Sequence, residues 1–381
     1  MAQNIKNLAN LETPCLILDK EILKTNCKNV LLKCKELQVN LRPHVKTPKC
    51  IEVVKVALNN ETGPITVSTL KEAEYFASSK FKDILYAVGI VPSKLSRIAK
   101  IQNKFNCVIK IILDSVEVAK AVANYANSNN VNLEILVEID SGEGRSGIRP
   151  NDKKLKEIVS VLKLNNNTRL MGVMTHAGHS YNSNNPKTIK AIANKEKEDI
   201  LHAANNLKKL GNPCPIVSLG STPTIFFGSN FDGISEVRCG VYMFWDLAQA
   251  SRNVCKIEDI AVTVLSSVIN HNYQDKRIIL DAGALALSKD ISANKFMPNA
   301  GYGLVCDKNT AIPLTNLNVS EVHQEHGTIN ITNEKWFDYL PIGSLVRIKP
   351  NHSCLTCAGH ETYNILENNS ISGLWRRING W

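Results

Sequence analysis

The 381-residue sequence predicts an α/β protein, a (β/α)8 TIM-type barrel joined to a second, mainly β domain. A strand–helix alternation supplies eight β segments in about 200 residues, the number such a barrel needs. No G-x-G-x-x-G follows any of them, which disfavours a doubly wound open sheet. After Cys255 the helical patterns give way to β segments separated by Asn, Asp and Gly turns.

The elements follow from apolar periodicity and from turn residues. Asp19 is placed to cap an amphipathic helix that reaches about Glu36. The connection 221–232 is rich in Gly, Pro and Phe and predicts no clear helix. The predicted barrel strands are 39–44, 65–68, 84–88, 108–113, 133–139, 170–175, 216–219 and 234–238, and the later β segments are 261–269, 277–280, 329–331 and 344–349. We therefore predict a barrel domain at 19–255 and a mainly β domain made of 1–18 and 256–381.

Composition excludes several classes of protein. No apolar run is long enough to span a membrane, and the first residues lack the apolar stretch of a signal peptide. The eleven cysteines are scattered and odd in number, which indicates reduced thiols and a cytoplasmic protein. The net charge of +10 comes from dispersed lysines without an arginine-rich stripe, so we expect no nucleic-acid partner.

A basic tetrad, Arg42, His44, Lys46 and Lys49, lies at the predicted carboxyl end of the first barrel strand. Barrels gather their chemistry at that edge. A lysine that is partly desolvated beside other cations loses its proton more readily and becomes a usable nucleophile and base. A solvated basic turn is the structural alternative for the same residues.

The ends of the later strands predict a ring-shaped, phosphorylated ligand. Gly220, Ser221 and Thr222 after strand seven, with Gly240 and Tyr242 after strand eight, form a pattern that lets backbone N–H groups approach a phosphate. Opposite a lysine on strand one, such a cradle is the layout expected for a Schiff base to pyridoxal phosphate.

Three more side chains follow the intervening strands. His176 is placed to stack on the cofactor ring or to hydrogen-bond to it, and Arg145 or Tyr181 to reach its polar edge. Taken singly, each of them also fits a structural role.

The segment from His352 to His360 contains four candidate metal ligands in nine residues. In an extended strand, His352 and Cys354 would point to one face, and an imidazole with a thiolate favours Zn²⁺ while leaving positions open for substrate. The alternatives are a closed structural zinc site that also uses Cys357 and His360, or a buried thiol and an ordinary histidine.

These motifs resemble those of the fold-type III pyridoxal phosphate enzymes, in the branch that contains D-serine dehydratase and D-threonine aldolase. The resemblance runs nearly end to end. It rests on Thr13-Pro14, Pro43-His44-Val45-Lys46-Thr47, Thr175-His176-Ala177-Gly178, Gly220–Thr224, Arg238–Asp246, Leu280–Gly283, Glu325-His326-Gly327 and Pro350–Cys354.

The resemblance implies a homodimer and assigns roles to individual positions. Lys46 matches the Schiff-base lysine, and His352 with Cys354 matches the metal pair. The positions that match phosphate contacts are Gly220, Ser221, Thr222, Gly240 and Tyr242, and those that match residues near the cofactor ring are Arg145, His176 and Tyr181.

Within this branch the aldolases resemble a His-x-Asp metal pair, whereas Cys354 matches the dehydratase form. The resemblance therefore implies a lyase that uses pyridoxal phosphate and zinc to convert D-serine, a small-molecule D-amino acid, to pyruvate and ammonia. D-threonine aldolase and D-threo-3-hydroxyaspartate dehydratase are the alternatives within the branch. A non-catalytic pyridoxal phosphate carrier is a further alternative, but such carriers lack the second domain and the metal pair.

Overall fold

The structure is a computed structural model in which residues 7–381 are described, and the chain forms two units. The barrel unit comprises Asn29–Lys46 and Ala57–Gly240, together with the last two residues. Of the described residues, the β unit comprises 7–28, Thr47–Val56 and Val241–Asn379. The chain thus leaves the barrel unit directly after Lys46 and returns to it at Ala57.

The strands are β1 (Cys15–Asp19), β2 (Asn40–Leu41), β3 (Ile65–Val67), β4 (Asp83–Gly89), β5 (Val108–Leu113), β6 (Leu133–Ile139), β7 (Thr168–Thr175), β8 (Ile216–Leu219), β9 (Glu236–Val237), β10 (Val262–Asn272), β11 (Arg277–Leu280), β12 (Gly303–Asp307), β13 (Pro313–Asn318), β14 (Glu321–Val322), β15 (Gly327–Asn330), β16 (Leu345–Pro350), β17 (Thr362–Glu367) and β18 (Ser370–Arg376). The helices are α1 (Lys20–Glu36), α2 (Ile51–Ala57), α3 (Leu70–Ser78), α4 (Leu95–Phe105), α5 (Val116–Asn129), α6 (Lys154–Lys163), α7 (Pro186–Lys209), α8 (Thr222–Phe227), α9 (Leu247–Ala250), α10 (Ala284–Leu287), α11 (Lys335–Tyr339) and α12 (Ser353–Ala358).

Strands β2 to β9 form a parallel sheet in the order β2-β9-β8-β7-β6-β5-β4-β3. Residues 43–45 close it, since Val45 N donates to Thr66 O at 2.9 Å and Thr66 N donates to Pro43 O at 2.9 Å. The predicted (β/α)8 barrel is therefore confirmed, and each of the eight predicted strands overlaps an observed one. Because the strands are parallel, their carboxyl ends lie at one rim.

The strands and helices of the barrel were predictable because their signals are local. The strands are short apolar runs, and Leu85, Ile112, Leu136 and Met174 of four neighbouring strands pack in one buried cluster. Ser115, at the start of α5, accepts a hydrogen bond from Val118 N, as an N-cap residue does. Similar caps precede α1 and α3.

The connection 221–232, for which no helix was predicted, contains the six-residue helix α8. Ser221 caps it by accepting a hydrogen bond from Thr224 N, and the Thr224 side chain bonds back to Ser221 N. Pro223 lies in the first turn, where the missing N–H costs no helical hydrogen bond. The capping box overrides the weak helical composition of this segment.

The β unit contains a ten-stranded sheet, in which β10 pairs with β1, β11 and β16. The four β segments predicted after residue 255 match β10, β11, β15 and β16. The apolar run 13–18 also predicts a strand, and it matches β1. Strands β12, β13, β14, β17 and β18 were missed, because short or polar runs such as Pro313–Asn318 carry little apolar alternation. Helical patterns were expected to end at Cys255, but this was wrong, since the short helices α10, α11 and α12 lie after it.

The predicted extended geometry at the metal pair was also wrong. His352 is extended with φ −140° and ψ 103°, but it is the N-cap of α12, and Cys354 lies in the first turn of that helix. The helix begins here because Asp246 Oδ2 accepts a hydrogen bond from Ser353 N at 3.0 Å. The partner of this N–H lies 107 residues away, so no local pattern predicts it.

Among residues 7–381, no helix combines the length and the apolar character that a membrane span requires.

Arg42, expected with the other cations at the carboxyl edge, instead joins a buried ion-pair network of the barrel. Its Nε lies 2.8 Å from both carboxylate oxygens of Glu236, and its Nη1 lies 2.8 Å from Asp83 Oδ1. Asp83 is the first residue of β4, so the guanidinium extends toward the amino-terminal end of that strand. Lys110 also reaches Asp83, at 2.7 Å.

Replacing Arg42 by alanine should lower the free energy of unfolding by about 3–5 kcal/mol, because Glu236 would stay buried without its cation. Urea unfolding followed by circular dichroism measures the change. Arg169→Ala is the matched control, since Arg169 is 73% exposed and 3.8 Å from Glu134, and its loss should cost less than about 1 kcal/mol. Equal effects of the two substitutions would contradict the role given to the buried network.

Candidate active site

Lys46 follows the barrel-closing segment, at the carboxyl rim, with an exposed side chain. The neighbouring strand holds its backbone through the hydrogen bond from Val45 N to Thr66 O. Within residues 7–381, no carboxylate forms an ion pair with the Lys46 amine. An amine without a carboxylate partner is chemically suited to condense with an aldehyde.

Two histidines near Lys46 are uncharged at neutral pH. Burial, and to a lesser degree the charge of Lys46, lower the pKa of His44 well below its usual value. Burial likewise lowers the pKa of His176 to about 3, even though a hydrogen bond to Gly220 opposes the shift. Both rings therefore present neutral imidazoles to whatever binds beside Lys46.

His176 follows the last residue of β7, and its orientation is well defined. Nδ1 lies 2.6 Å from the carbonyl oxygen of Gly220, so Nδ1 carries the proton and Nε2 keeps its lone pair. The Tyr181 ring is 6.5 Å away and tilted by 38°. His176 and Tyr181, two of the residues predicted to adjoin a cofactor ring, thus lie side by side in the barrel unit.

The loop after β8 gathers hydroxyl and amide groups. Gly220 adopts φ +148°, and a Cβ there would lie 2.3 Å from the Arg238 carbonyl, so only glycine fits. Thr222 N donates to the Tyr181 hydroxyl at 3.3 Å, and Ser221 Oγ lies 2.8 Å from Ser180 Oγ. Hydroxyls and main-chain N–H groups of this kind bind phosphate esters.

Three further predicted site residues, Gly240, Arg145 and Tyr242, lie outside the loop after β8. Gly240 packs against the barrel-closing segment, since a Cβ on it would lie 2.1 Å from the His44 carbonyl oxygen. Arg145 is 59% exposed, and its guanidinium lies 3.6 Å from Glu143. Tyr242 is fully buried and belongs to the β unit.

Sequence reasoning gave no role to two residues that support this rim. Arg238 is 5% exposed and donates to the Ser218 hydroxyl and to the Thr175 carbonyl. Glu196 of α7 is 1% exposed, and its Oε1 accepts hydrogen bonds from Ala177 N at 3.0 Å and Gly220 N at 3.3 Å. Glu196 therefore joins the loops after β7 and β8. Its only signal in the sequence is one acidic residue among several in a charged helix.

In the β unit, His352 and Cys354 lie at the start of α12. His352 Nδ1 is 3.0 Å from Asp290 Oδ2, so Nε2 is the ring nitrogen left to bind a metal. Burial by itself would lower the pKa of His352, but Cys354 and the hydrogen bond to Asp290 outweigh it and raise the pKa to about 11. The surroundings of this imidazole thus favour a positive charge.

Cys357 and His360, the further ligands of the alternative closed zinc site, lie in different surroundings. Cys357 is completely buried, and burial raises the pKa of its thiol to about 12. His360 Nε2 lies 3.0 Å from the carbonyl oxygen of Ala286. In the described part of the chain, no group of three or more His, Cys, Asp and Glu side chains has the arrangement of a metal site.

The residues of both units have the chemistry that pyridoxal phosphate and a zinc ion require. An amine without a carboxylate partner, neutral imidazoles and a loop of hydroxyl and N–H donors suit an aldehyde that carries an aromatic ring and a phosphate. An imidazole held by a carboxylate, with a thiol two residues later, suits a zinc ion with two protein ligands. The residues present fit both groups.

Comparison with known proteins agrees with this chemistry. Residues 18–248 match the family model "Alanine racemase, N-terminal domain", and residues 261–366 match "Putative serine dehydratase domain". The chain is 36% identical to D-threo-3-hydroxyaspartate dehydratase from Delftia sp. over 98% of its length and 99% of the relative's. It is 32% identical to D-serine dehydratase from Dictyostelium discoideum over 97% of each chain.

A solved structure of the Delftia enzyme superposes with a TM-score of 0.95 at 36% identity, covering 98% of this chain and 100% of that one. A second structure with the same TM-score and coverage is described as a cysteine-to-alanine variant of D-threo-3-hydroxyaspartate dehydratase in the metal-free form. The chain belongs to the fold-type III pyridoxal phosphate enzymes, in the branch of the D-serine and D-threo-3-hydroxyaspartate dehydratases. It is a lyase, as the dehydratases and aldolases of this branch are.

Glu196 should make stability depend on pH. Burial raises its pKa from 4.5 to about 7, so the folded chain binds the proton more tightly than the unfolded chain. The stabilisation is complete below the unfolded pKa and is lost as the pH rises through the folded pKa. Glu196→Gln should remove this slope, and its stability relative to the parent should rise by about 3 kcal/mol between about pH 4.5 and about pH 7.

Urea unfolding at several pH values measures this difference. Glu198→Gln, an exposed neighbour on the same helix, is the control and should follow the parent at every pH. A Glu196→Gln variant whose stability runs parallel to that of the parent would contradict the assignment.

Proposed function

We propose that this protein eliminates water from D-serine to yield pyruvate and ammonia, with pyridoxal phosphate and zinc as cofactors. The observation that carries the proposal is the histidine–cysteine pair, with His352 Nδ1 held 3.0 Å from Asp290. Such a pair suits a zinc ion with open positions, the form of zinc used in catalysis.

Lys46 is the proposed Schiff-base lysine and general base. Pyridoxal phosphate, when bound, spreads the negative charge that forms at the substrate Cα. Lys46 Nζ takes the Cα proton, and hydroxide leaves Cβ, so that one molecule of water is lost. The enamine that results takes up a proton at Cβ and is hydrolysed to pyruvate and ammonium.

The other barrel residues would bind and orient the cofactor. The proposed phosphate contacts are the hydroxyl and N–H groups of Ser221 and Thr222, with Gly220, Gly240 and Tyr242 matching further positions of that site. His176, held in one tautomer by Gly220, and Tyr181 would adjoin the ring, and Arg145 its polar edge.

His352 and Cys354 are the proposed zinc ligands. Zinc, when bound, acts as a Lewis acid for the departing hydroxyl, which is a poor leaving group without it. The metal-free description of the cysteine-to-alanine variant of D-threo-3-hydroxyaspartate dehydratase supports a role for a cysteine in metal binding. Asp290 would hold the imidazole so that Nε2 faces the metal.

D-threo-3-hydroxyaspartate is the second candidate substrate. The 36% identity to the Delftia dehydratase over 98% of this chain favours it. Both substrates carry a β-hydroxyl and would lose water by the same steps. The homodimeric state and the cytoplasmic location expected from the sequence stay predictions.

Incubation of the cofactor- and zinc-loaded protein with D-serine should yield pyruvate and ammonia in equal amounts. Lys46→Ala should lower this turnover by about 10³-fold or more and prevent covalent attachment of the cofactor after borohydride reduction. Pyruvate, ammonia and the absorbance of the reduced adduct are measured. Lys55→Ala, on the exposed face of α2, is the control and should behave like the parent.

Other products would point to other reactions. Oxaloacetate and ammonia from D-threo-3-hydroxyaspartate, with no pyruvate from D-serine, would favour the second candidate. Glycine and acetaldehyde from D-threonine would identify an aldolase and overturn the proposal. An active Lys46→Ala variant would overturn the role of the lysine.

Zinc affinity should depend on Asp290 as well as on Cys354. Cys354→Ala should remove the metal and the turnover of D-serine while pyridoxal phosphate stays bound, and Asp290→Asn should weaken zinc binding about 10- to 100-fold. Metal content after dialysis against a competing chelator measures both effects. Asp338→Asn, at an exposed position of the β unit, is the control. Unchanged metal content in Cys354→Ala would refute the ligand pair.

A further inference from the structure

A buried threonine directly follows Lys46 and contacts the sulfur of Cys354. Thr47 is 0% exposed, and its Oγ1 lies 3.1 Å from Cys354 Sγ, across 307 residues of sequence. A sulfur that binds a metal does so as a thiolate, which has no proton to donate. In the metal-bound state the hydroxyl must therefore be the donor of this hydrogen bond.

The backbone after Thr47 is held in place. Pro48 O accepts a hydrogen bond from the Tyr363 hydroxyl at 2.8 Å, and Lys49 O accepts one from Ile378 N at 3.0 Å. Arg377 Nε also lies 3.4 Å from Pro48 O. The position of Thr47 is thus set by main-chain contacts on its carboxyl side.

The helix that carries Cys354 is held by some of the same groups. Arg377 Nη1 donates to the carbonyl of Cys357, in the last turn of α12, while its Nε faces Pro48 O. At the start of the helix, Ser353 N donates to Asp246 Oδ2 at 3.0 Å. One guanidinium therefore joins the segment of Thr47 to the helix of Cys354, so the two side chains meet in a fixed geometry.

We propose that Thr47 is a positioning residue for the metal: its hydroxyl donates a hydrogen bond to the Cys354 thiolate, which orients the sulfur and reduces its electron donation. This inference rests on the proposed function, because it takes His352 and Cys354 to be the metal ligands. A weaker sulfur donor leaves the bound metal a stronger Lewis acid for the departing hydroxyl. Since Thr47 is bonded to Lys46, one dipeptide would supply both the base and a control on the metal.

The experiment compares the cofactor-loaded parent protein with Thr47→Val and Thr47→Ser, each carrying Co²⁺ in place of zinc. Valine keeps the shape of threonine without the hydroxyl, whereas serine keeps the hydroxyl without the methyl group. In Thr47→Val the sulfur-to-cobalt charge-transfer band should move to lower energy, because the sulfur donates more strongly. The metal affinity should nevertheless fall about tenfold, because the sulfur is no longer held in orientation and this loss outweighs the stronger donation. In Thr47→Ser the band energy and the metal affinity should both lie close to those of the parent.

Several outcomes would overturn the proposal. A band at the parent's position in Thr47→Val, or a Thr47→Ser protein that shifts as Thr47→Val does, would show that the hydroxyl does not act on the sulfur. If Thr47→Val does not fold by circular dichroism, Thr47→Ala replaces it under the same expectation.

The failure of this inference is distinguishable from failure of the proposed function. If the parent shows no sulfur-to-cobalt band, or if Cys354→Ala keeps it, the metal pair itself is wrong and both proposals fall. If that band is present and depends on Cys354 but is insensitive to Thr47, only the role of Thr47 is wrong.

Discussion

The barrel unit depends on the closure of its sheet by residues 43–45, which exchange two backbone hydrogen bonds with Thr66. Without this closure β2 and β3 would be the open edges of an eight-stranded sheet. With it, the carboxyl ends of the strands share one rim, and Lys46, His176 and the Gly220 loop follow three of them. These residues are remote from one another in the sequence, so it is the order of the parallel strands that brings them to the same rim.

Burial controls the charges at this rim. His44 and His176 are neutral because desolvation lowers their pKa values, and nearby Lys46 and Arg238 act in the same direction. The Arg238 guanidinium is held by hydrogen bonds that it donates to the Ser218 hydroxyl and the Thr175 carbonyl. The rim thus combines positive charge from lysine and arginine with uncharged imidazoles, an arrangement suited to an anionic ligand that also carries an aromatic ring.

In the β unit, the two proposed metal ligands each contact a polar side chain from elsewhere in the chain. His352 is held by Asp290 at 3.0 Å, and the Cys354 sulfur lies 3.1 Å from the Thr47 hydroxyl. Each candidate ligand therefore has its own orienting partner, supplied by a distant part of the chain. If these two side chains bind a metal as proposed, such partners would orient them toward it.

The sequence by itself determined the barrel strands, most of their helices and the residue types of both candidate sites, because periodicity, caps and motifs are local signals. Tertiary structure decided the rest. Arg42 turned to an interior ion pair, His352 became the N-cap of a helix, and α8 formed from a capping box. Glu196 and Asp290 could not be assigned in advance, since their partners lie 19–24 and 62 residues away and are set by packing through space.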